Sequence, residues 1–176
     1  MPKDKLIIIE DTSLSKAMES KDEFALVSFS AGLNMAKVTE YPSLANLKKN
    51  TEPSKIMTLM YKVLEKKMKS LGDRGNLSPE EIKAFVLDFY SERETESIED
   101  LVLMMDWGRQ GKLGKVYAKV DVIMLNEWAK CYFDMKYTEI ERQQQNQKQK
   151  HKFEMSSEVA EKLREDIKKI GRKDGI

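Results

Sequence analysis

The chain has 176 residues with 31 basic and 30 acidic side chains, so its net charge of +1 excludes a uniformly basic nucleic-acid binder. One cysteine and one histidine exclude an internal disulfide framework and a Cys/His zinc site. His151, on which a catalytic triad would depend, lies in a polar stretch without a credible nucleophile partner. We therefore expect a non-enzymatic protein with no catalytic residues, no metal and no cofactor.

Hydropathy predicts a protein that does not enter the membrane. The longest apolar runs, residues 6–9 and 101–105, fall far short of the roughly 20 residues that span a bilayer. The first residues are also too few and too acidic for a secretory signal. With a single cysteine, the cytoplasm is the expected location.

Residues 1–53 are the hardest part to interpret, and we predict an N-terminal arm with short helices. Residues 6–9 are Leu-Ile-Ile-Ile and suit a short strand or an extended arm. Thr12 or Ser13 suits the N-cap of a first helix, and Asp22 that of a second. The apolar face of the second helix is predicted to carry Phe24, Val27 and Ala31.

Residues 54–141 are predicted to form a helical core. Helix 54–71 has apolar residues at i, i+3, i+4 and i+7. Helix 79–90 follows the sequence Ser78-Pro-Glu-Glu, which offers a cap, an N1 proline and an N3 glutamate. With a long C-terminal helix, these elements indicate an all-α fold of five to seven helices.

The next predicted helix, 98–107, is capped by Ser97 and ends at Gly108. Its residues 101–105 are apolar on every side of the helix. This run belongs either to the centre of the core or partly to an interface with another chain.

The C-terminal part begins with a long helix near Asp121. Residues 142–155 are predicted to be a polar linker or a helix extension, because residues 142–152 contain no apolar side chain. Residues 156–176 are predicted to form a terminal amphipathic helix. Its narrow apolar face is a candidate contact for a partner helix, formed by Val159, Leu163, Ile167 and Ile170.

Charge is segregated along the chain despite the balanced total. Residues 77–108 carry a net charge of −7, and residues 109–136 carry +3. The flanking segments, 1–76 and 137–176, carry +3 and +2. Because fields act within about 8–10 Å at physiological salt, a partner responds to these segments rather than to the total.

A glycine- and lysine-rich corner follows the helix at 98–107. Its glycines can expose successive N–H groups to an anion, but their spacing matches neither a P-loop nor a dinucleotide-binding fingerprint. A tight helix–loop–helix corner, a phosphate contact and a protein contact all remain open. The candidate contact residues are Trp107, Arg109, Gly111, Lys112, Gly114, Lys115 and Lys119.

Aromatic and acidic residues have plainer interpretations. Tyr117, Trp128 and Tyr132 could stack on nucleic-acid bases, but aromatic residues at helical spacing favour a core. The carboxylates of residues 77–108 suit helix first turns, where they complement the helix dipole, and nothing in their spacing supports a Mg²⁺ site.

The segment 97–141 resembles small uncharacterised helical proteins of phages, prophages and conjugative elements of Bacteroides-type gut bacteria. The resemblance covers about a quarter of the chain and rests on the pattern Glu-Asp-Leu-x(6)-Gly-x-x-Gly-Lys-x-Gly-Lys-Val-Tyr-x-x-Val-Asp. Its carriers in this sequence are Leu101, Gly111, Gly114, Lys115, Tyr117, Asp121, Trp128 and Tyr132.

The resemblance implies a mobile-element setting without implying an activity. Our leading hypothesis is an accessory or adaptor protein, such as a helicase-loader-like replication helper. It would act through protein–protein contacts, with DNA-backbone contacts as a further mode. The alternative is a structural or packaged virion protein that forms a homo-oligomer.

Overall fold

The computed structural model describes residues 12–22, 24–75, 77–115 and 119–171; from residue 151 onward the side chains described are those of Phe153 and Glu161. The predicted all-α class is confirmed, because these residues form helices and no strand. The predicted strand at residues 6–9 lies outside the described residues. The helices are α1 (Ser13–Glu19), α2 (Ala25–Ala31), α3 (Met35–Val38), α4 (Leu44–Leu47), α5 (Pro53–Lys69), α6 (Pro79–Glu92), α7 (Ile98–Arg109) and α8 (Val122–Gly171).

The described residues form eight α-helices rather than five to seven, because α3 and α4, of four residues each, add to the expected set. The chain divides into two compact units, Met1–Phe133 and Asp134–Ile176. In the first, α5 packs against α6 and α7, while α1 contacts α2 and α5 and α2 contacts α7. Among the described helices none is long and apolar enough to cross a membrane.

The predicted starts of α1 and α6 are confirmed by their hydrogen bonds, whereas the predicted cap Asp22 is wrong, because α2 begins after Phe24 without a side-chain cap. Thr12 Oγ1 accepts from the Ser15 N–H at 3.1 Å and caps α1. Ser78 and Glu81 form a capping box on α6, since each side chain accepts a backbone N–H of the other residue. Such boxes satisfy N–H groups that would otherwise lack a partner at a helix start.

The predicted apolar face of α2 is wrong. Phe24 and Val27 are exposed, at 69% and 61%, whereas the buried residues of this helix are Leu26 and Ser30. Ser30 can enter the core because its hydroxyl donates to the Leu26 carbonyl at 2.6 Å, which removes the cost of burying it. Two apolar side chains, Val27 on α2 and Phe24 at its N-cap, are therefore left facing solvent.

Residues 101–105 belong to the core, because each is at most 2% exposed within a single chain. The interface interpretation of this run loses its basis. Helix α7 also runs past its predicted end to Arg109. Gly108 stays helical and lies against the Trp128 ring, where a Cβ atom would collide with it.

The C-terminal segment is one helix. Asp121 Oδ1 accepts from the Met124 N–H at 2.8 Å, and α8 continues from there through residues 142–155 to Gly171 without a second helix start near residue 156. A helix can lack apolar residues where every side faces solvent, as residues 141–150 do.

Candidate functional site

The glycine- and lysine-rich corner closes helix α7. The Lys112 N–H donates to the Trp107 carbonyl and the Gly111 N–H to the Gly108 carbonyl, both at 2.9 Å. Gly111 has φ +74°, the left-handed conformation that this C-terminal motif requires. The N–H groups of Gly111 and Lys112 are thus used inside the helix end, so they do not form the anion nest that glycine spacing suggested.

Buried side chains hold the corner against the end of α5. Leu113 is 6% exposed and Val120 is fully buried. The Val120 N–H donates to the Arg74 carbonyl at 2.7 Å, and Gly75 pairs with Val120 in a short parallel bridge. The basic side chains of the corner therefore lie next to those that follow α5 in the chain.

A groove of about 560 Å³ lies between the corner and the chain after α5, and we call it the basic groove. Its cations are Arg74, Arg109 and Lys115, and its described lining residues include no acid. All three side chains belong to exposed residues. Three cations without a carboxylate among them make this groove a suitable contact for an anion.

A second groove of about 710 Å³, which we call the apolar groove, lies between α2 and α7. Its apolar lining includes Leu26, Val27 and Leu103 together with the half-buried Trp107. Its cations come from the end of α5 and from the corner. They are Lys66, Lys67, Lys69, Arg109 and Lys112.

A buried ion pair joins three helices in the lining of the apolar groove. Lys67 Nζ lies 2.8 Å from Asp106 Oδ1 and donates to Ser30 Oγ at 2.7 Å. Burial lowers the pKa of Lys67, while the hydrogen bond and the charge of Asp106 oppose that shift. Arg109 Nε is 4.0 Å from the same carboxylate oxygen.

Sequence reasoning missed this pair. Lys67 falls four residues after Val63 on the buried stripe of α5, and Asp106 follows directly after the apolar run 101–105. A charged residue on an apolar stripe is the signal that could have revealed it, because such a residue needs a partner when it is buried.

The structure brings together most of the candidate contact residues. Arg109 lines both grooves, Trp107 and Lys112 line the apolar groove, and Gly111 and Lys115 line the basic groove. Gly114 and Lys119 are exposed and line neither groove. The side chains of the predicted partner-helix face, Val159, Leu163, Ile167 and Ile170, lie outside those the structure describes.

The aromatic residues of α8 belong to the core rather than to a stacking platform. Trp128 is 2% exposed and Tyr132 is fully buried. The Tyr132 hydroxyl donates to Asp100 Oδ1 at 2.7 Å, which satisfies its polar end. Tyr117 lies outside the described residues.

Residues 77–108, which carry the net charge of −7, expose fewer carboxylates at the surface than their sequence suggested. Four of its nine carboxylates, those of Glu96, Glu99, Asp100 and Asp106, belong to buried residues. Burial and the nearby charge of Asp100 raise the pKa of Glu99 to about 7. The exposed acids that remain lie on α6 and in the turn after it: Glu80, Glu81, Asp88, Glu92 and Glu94.

In the part of the chain that the structure describes, no three His, Cys, Asp or Glu side chains come together as metal ligands. No family model, curated protein or solved structure matches the chain.

Proposed function

We propose that this protein is a non-enzymatic adaptor of a phage or other mobile element, and that its basic groove contacts the phosphate backbone of nucleic acid. The single observation that carries the proposal is the convergence of Arg74, Arg109 and Lys115 on a groove whose described lining has no acid. The mobile-element setting rests on the resemblance of residues 97–141, and a replication helper is its most concrete form.

Electrostatics supports a contact with the backbone rather than with base edges. Phosphate contacts position a protein on nucleic acid without reading its sequence. The basic groove presents its cations from the end of α7 and from short segments between helices, whereas base readout needs an element inserted into a groove of the duplex. Three cations also support only modest affinity, as expected for an accessory protein that acts beside a stronger binder.

The polar groups lining the apolar groove favour a non-enzymatic role. Ser30 donates its hydroxyl proton to the Leu26 carbonyl, so this proton is not directed at the neighbouring Lys67 Nζ. The Lys67 ammonium is held by Asp106 and by Ser30 Oγ. A Ser–Lys pair acts as nucleophile and base only when the lysine can accept the serine proton. Here Lys67 instead donates a proton to Ser30 Oγ.

The proposal is tested by fluorescence anisotropy with labelled single- and double-stranded DNA at low salt. We expect Arg74→Ala/Lys115→Ala to weaken binding by about tenfold, since each lost phosphate contact removes part of the counterion release. Lys83→Ala/Lys130→Ala is the matched control, because it removes the same charge from exposed residues that line neither groove. Absence of binding by the unmodified protein, or equal loss in both variants, would contradict the proposal.

A further inference from the structure

An apolar surface of α2 faces solvent at the apolar groove. Val27 lines the groove and is 61% exposed, and Phe24 lies one turn earlier at 69% exposure. Apolar side chains at i and i+3 project from the same side of a helix. An exposed apolar side chain in the lining of a groove of about 710 Å³ suits contact with an apolar group of a partner.

The charges around this groove are predominantly positive. Lys66 and Lys69 belong to the last turn of α5, and Lys112 belongs to the corner. Asp106 is the acid among the described lining residues, and it is already paired with Lys67. Lys69 also lies 3.4 Å from Glu65, an exposed pair that contributes little.

We propose that the apolar groove binds an acidic amphipathic segment of a partner protein. Apolar side chains of the segment enter between α2 and α7 and cover Val27, while its carboxylates pair with Lys66, Lys69 and Lys112. Charge complementarity selects an acidic partner, because a basic one would meet like charges around the groove. This inference rests on the proposed adaptor function, for which it supplies the chemical class of the protein partner.

The same surface is a poor site for nucleic-acid bases. Stacking needs a free aromatic face, and the aliphatic side chains of Leu26, Val27 and Leu103 offer none. Lys112 Nζ lies over the Trp107 ring, 5.1 Å from its centroid, and Tyr132 packs against that ring at 5.8 Å with an interplanar angle of 70°. The indole is thus already engaged, which favours a protein segment over a nucleic acid in this groove.

The floor of the groove is preorganised for binding. Ser30 of α2, Lys67 of α5 and Asp106 of α7 are joined by hydrogen bonds of 2.7 and 2.8 Å. These bonds fix three helices that line the groove before any partner arrives. A preformed site avoids much of the ordering cost that association otherwise incurs.

The experiment uses the full chain and a fluorescein-labelled peptide of about 15 residues, a length at which an isolated helix is marginal and can fold on binding. The peptide carries Leu and Phe at i, i+3, i+4 and i+7 and glutamate elsewhere. One control peptide has the same composition in scrambled order, and another has lysine in place of glutamate. We expect the acidic amphipathic peptide to bind and both controls to bind at least about tenfold more weakly.

Two variants test the groove itself. Val27→Asp adds a carboxylate to the apolar surface, and Lys66→Glu/Lys112→Glu reverses two groove charges; each is expected to weaken peptide binding by about tenfold or more. Leu87→Asp is the matched control, because Leu87 is 54% exposed on α6 and does not line the groove. Circular dichroism verifies that each variant keeps its helices.

The outcomes separate this inference from the proposed function. Equal binding of the three peptides, or unchanged binding by folded Val27→Asp, would overturn the groove assignment. Loss of DNA affinity in Val27→Asp, with no peptide binding by the unmodified protein, would assign the groove to nucleic acid instead. If the peptide binds as expected while Arg74→Ala/Lys115→Ala leaves DNA binding unchanged, the protein site stands and the DNA proposal fails.

Discussion

Lys67 and Asp106 form a buried pair in which each charge depends on the other. Their side chains are 8% and 11% exposed, so neither can be fully hydrated when its partner is removed. Arg109 Nε, at 4.0 Å, is too distant to replace the ammonium hydrogen bond. The pair therefore fixes how α2, α5 and α7 are placed against one another, and it adds little to the net stability of the fold.

Removal of one partner should be more harmful than removal of both. We expect Lys67→Met to lower the free energy of unfolding by about 3 kcal/mol, because it leaves the buried Asp106 carboxylate without its hydrogen-bonded cation. Lys67→Met/Asp106→Leu should recover most of that loss. Urea unfolding followed by circular dichroism measures both values. A double variant no more stable than the single one would contradict this interpretation.

Glu99 gives the protein a pH dependence of known sign. Burial raises its pKa from 4.5 to about 7, so between these values the folded state keeps a proton that the unfolded state has released. Stability must then fall as the pH rises through this window, and the full penalty is present above it. A backbone hydrogen bond opposes the effect of burial, whereas the charge of Asp100 also raises the pKa of Glu99.

Glu99→Gln should remove this dependence. At about pH 8 the variant should be more stable than the unmodified protein by about 3 kcal/mol at most, since one pKa unit corresponds to about 1.4 kcal/mol. Near pH 4 the two proteins should be equally stable. Thermal unfolding across this range measures the difference, and a constant difference at every pH would show that folding does not raise the pKa of Glu99.

At the scale of elements, the close approach of α7 and α8 depends on one residue without a side chain. A Cβ atom at Gly108 would overlap the six-membered ring of Trp128, which is 2% exposed and has no room to move. The glycine costs helix stability by about 1 kcal/mol relative to alanine. That cost is offset by the packing of the indole ring against the α7 backbone.

Gly108→Ala is therefore expected to destabilise the protein by about 2 kcal/mol, the overpacking cost exceeding the gain in helix propensity. In Gly108→Ala/Trp128→Phe the smaller ring leaves space for the added methyl group. The combined loss should then be smaller than the sum of the two single losses, as measured by a double-mutant cycle in urea. Strict additivity would indicate that the two residues do not compete for the same space.

The sequence predicted helix starts better than it predicted faces. The motif Ser78-Pro-Glu-Glu contains its own local hydrogen-bonding partners, so α6 could be placed from four residues. The face of α2 depends on Ser30, whose burial is made tolerable by the Leu26 carbonyl and by Lys67, a residue far away in the chain. Such a partner cannot be identified from local periodicity.

The glycine- and lysine-rich corner also depends on partners that its local sequence does not reveal. Its glycine spacing was visible in the sequence, but the partners of its N–H groups were not, and they turned out to be carbonyls of α7. Arg74 was also missed as a site residue, because it comes next to Lys115 through long-range contacts such as the hydrogen bond from the Val120 N–H to the Arg74 carbonyl. The continuity of α8 was left open for a related reason, since a segment without apolar residues suits a helix or a linker equally well.

At the scale of the whole molecule, the balanced charge conceals two adjoining grooves of different character. The basic groove suits phosphate, whereas the apolar groove, with its exposed Val27, suits an acidic protein segment. Arg109 lines both grooves, so the two proposed ligands would meet side by side at one corner of the first unit. This arrangement is what an adaptor between nucleic acid and protein requires.

The salt dependence of DNA affinity tests most directly whether the cations of the basic groove contact phosphate. With three phosphate contacts, the logarithm of the association constant should fall against the logarithm of salt concentration with a slope of about −3, and Arg74→Ala/Lys115→Ala should reduce that slope to about −1. A slope that is the same in the variant and in the unmodified protein would contradict the claim, as would the absence of binding at low salt.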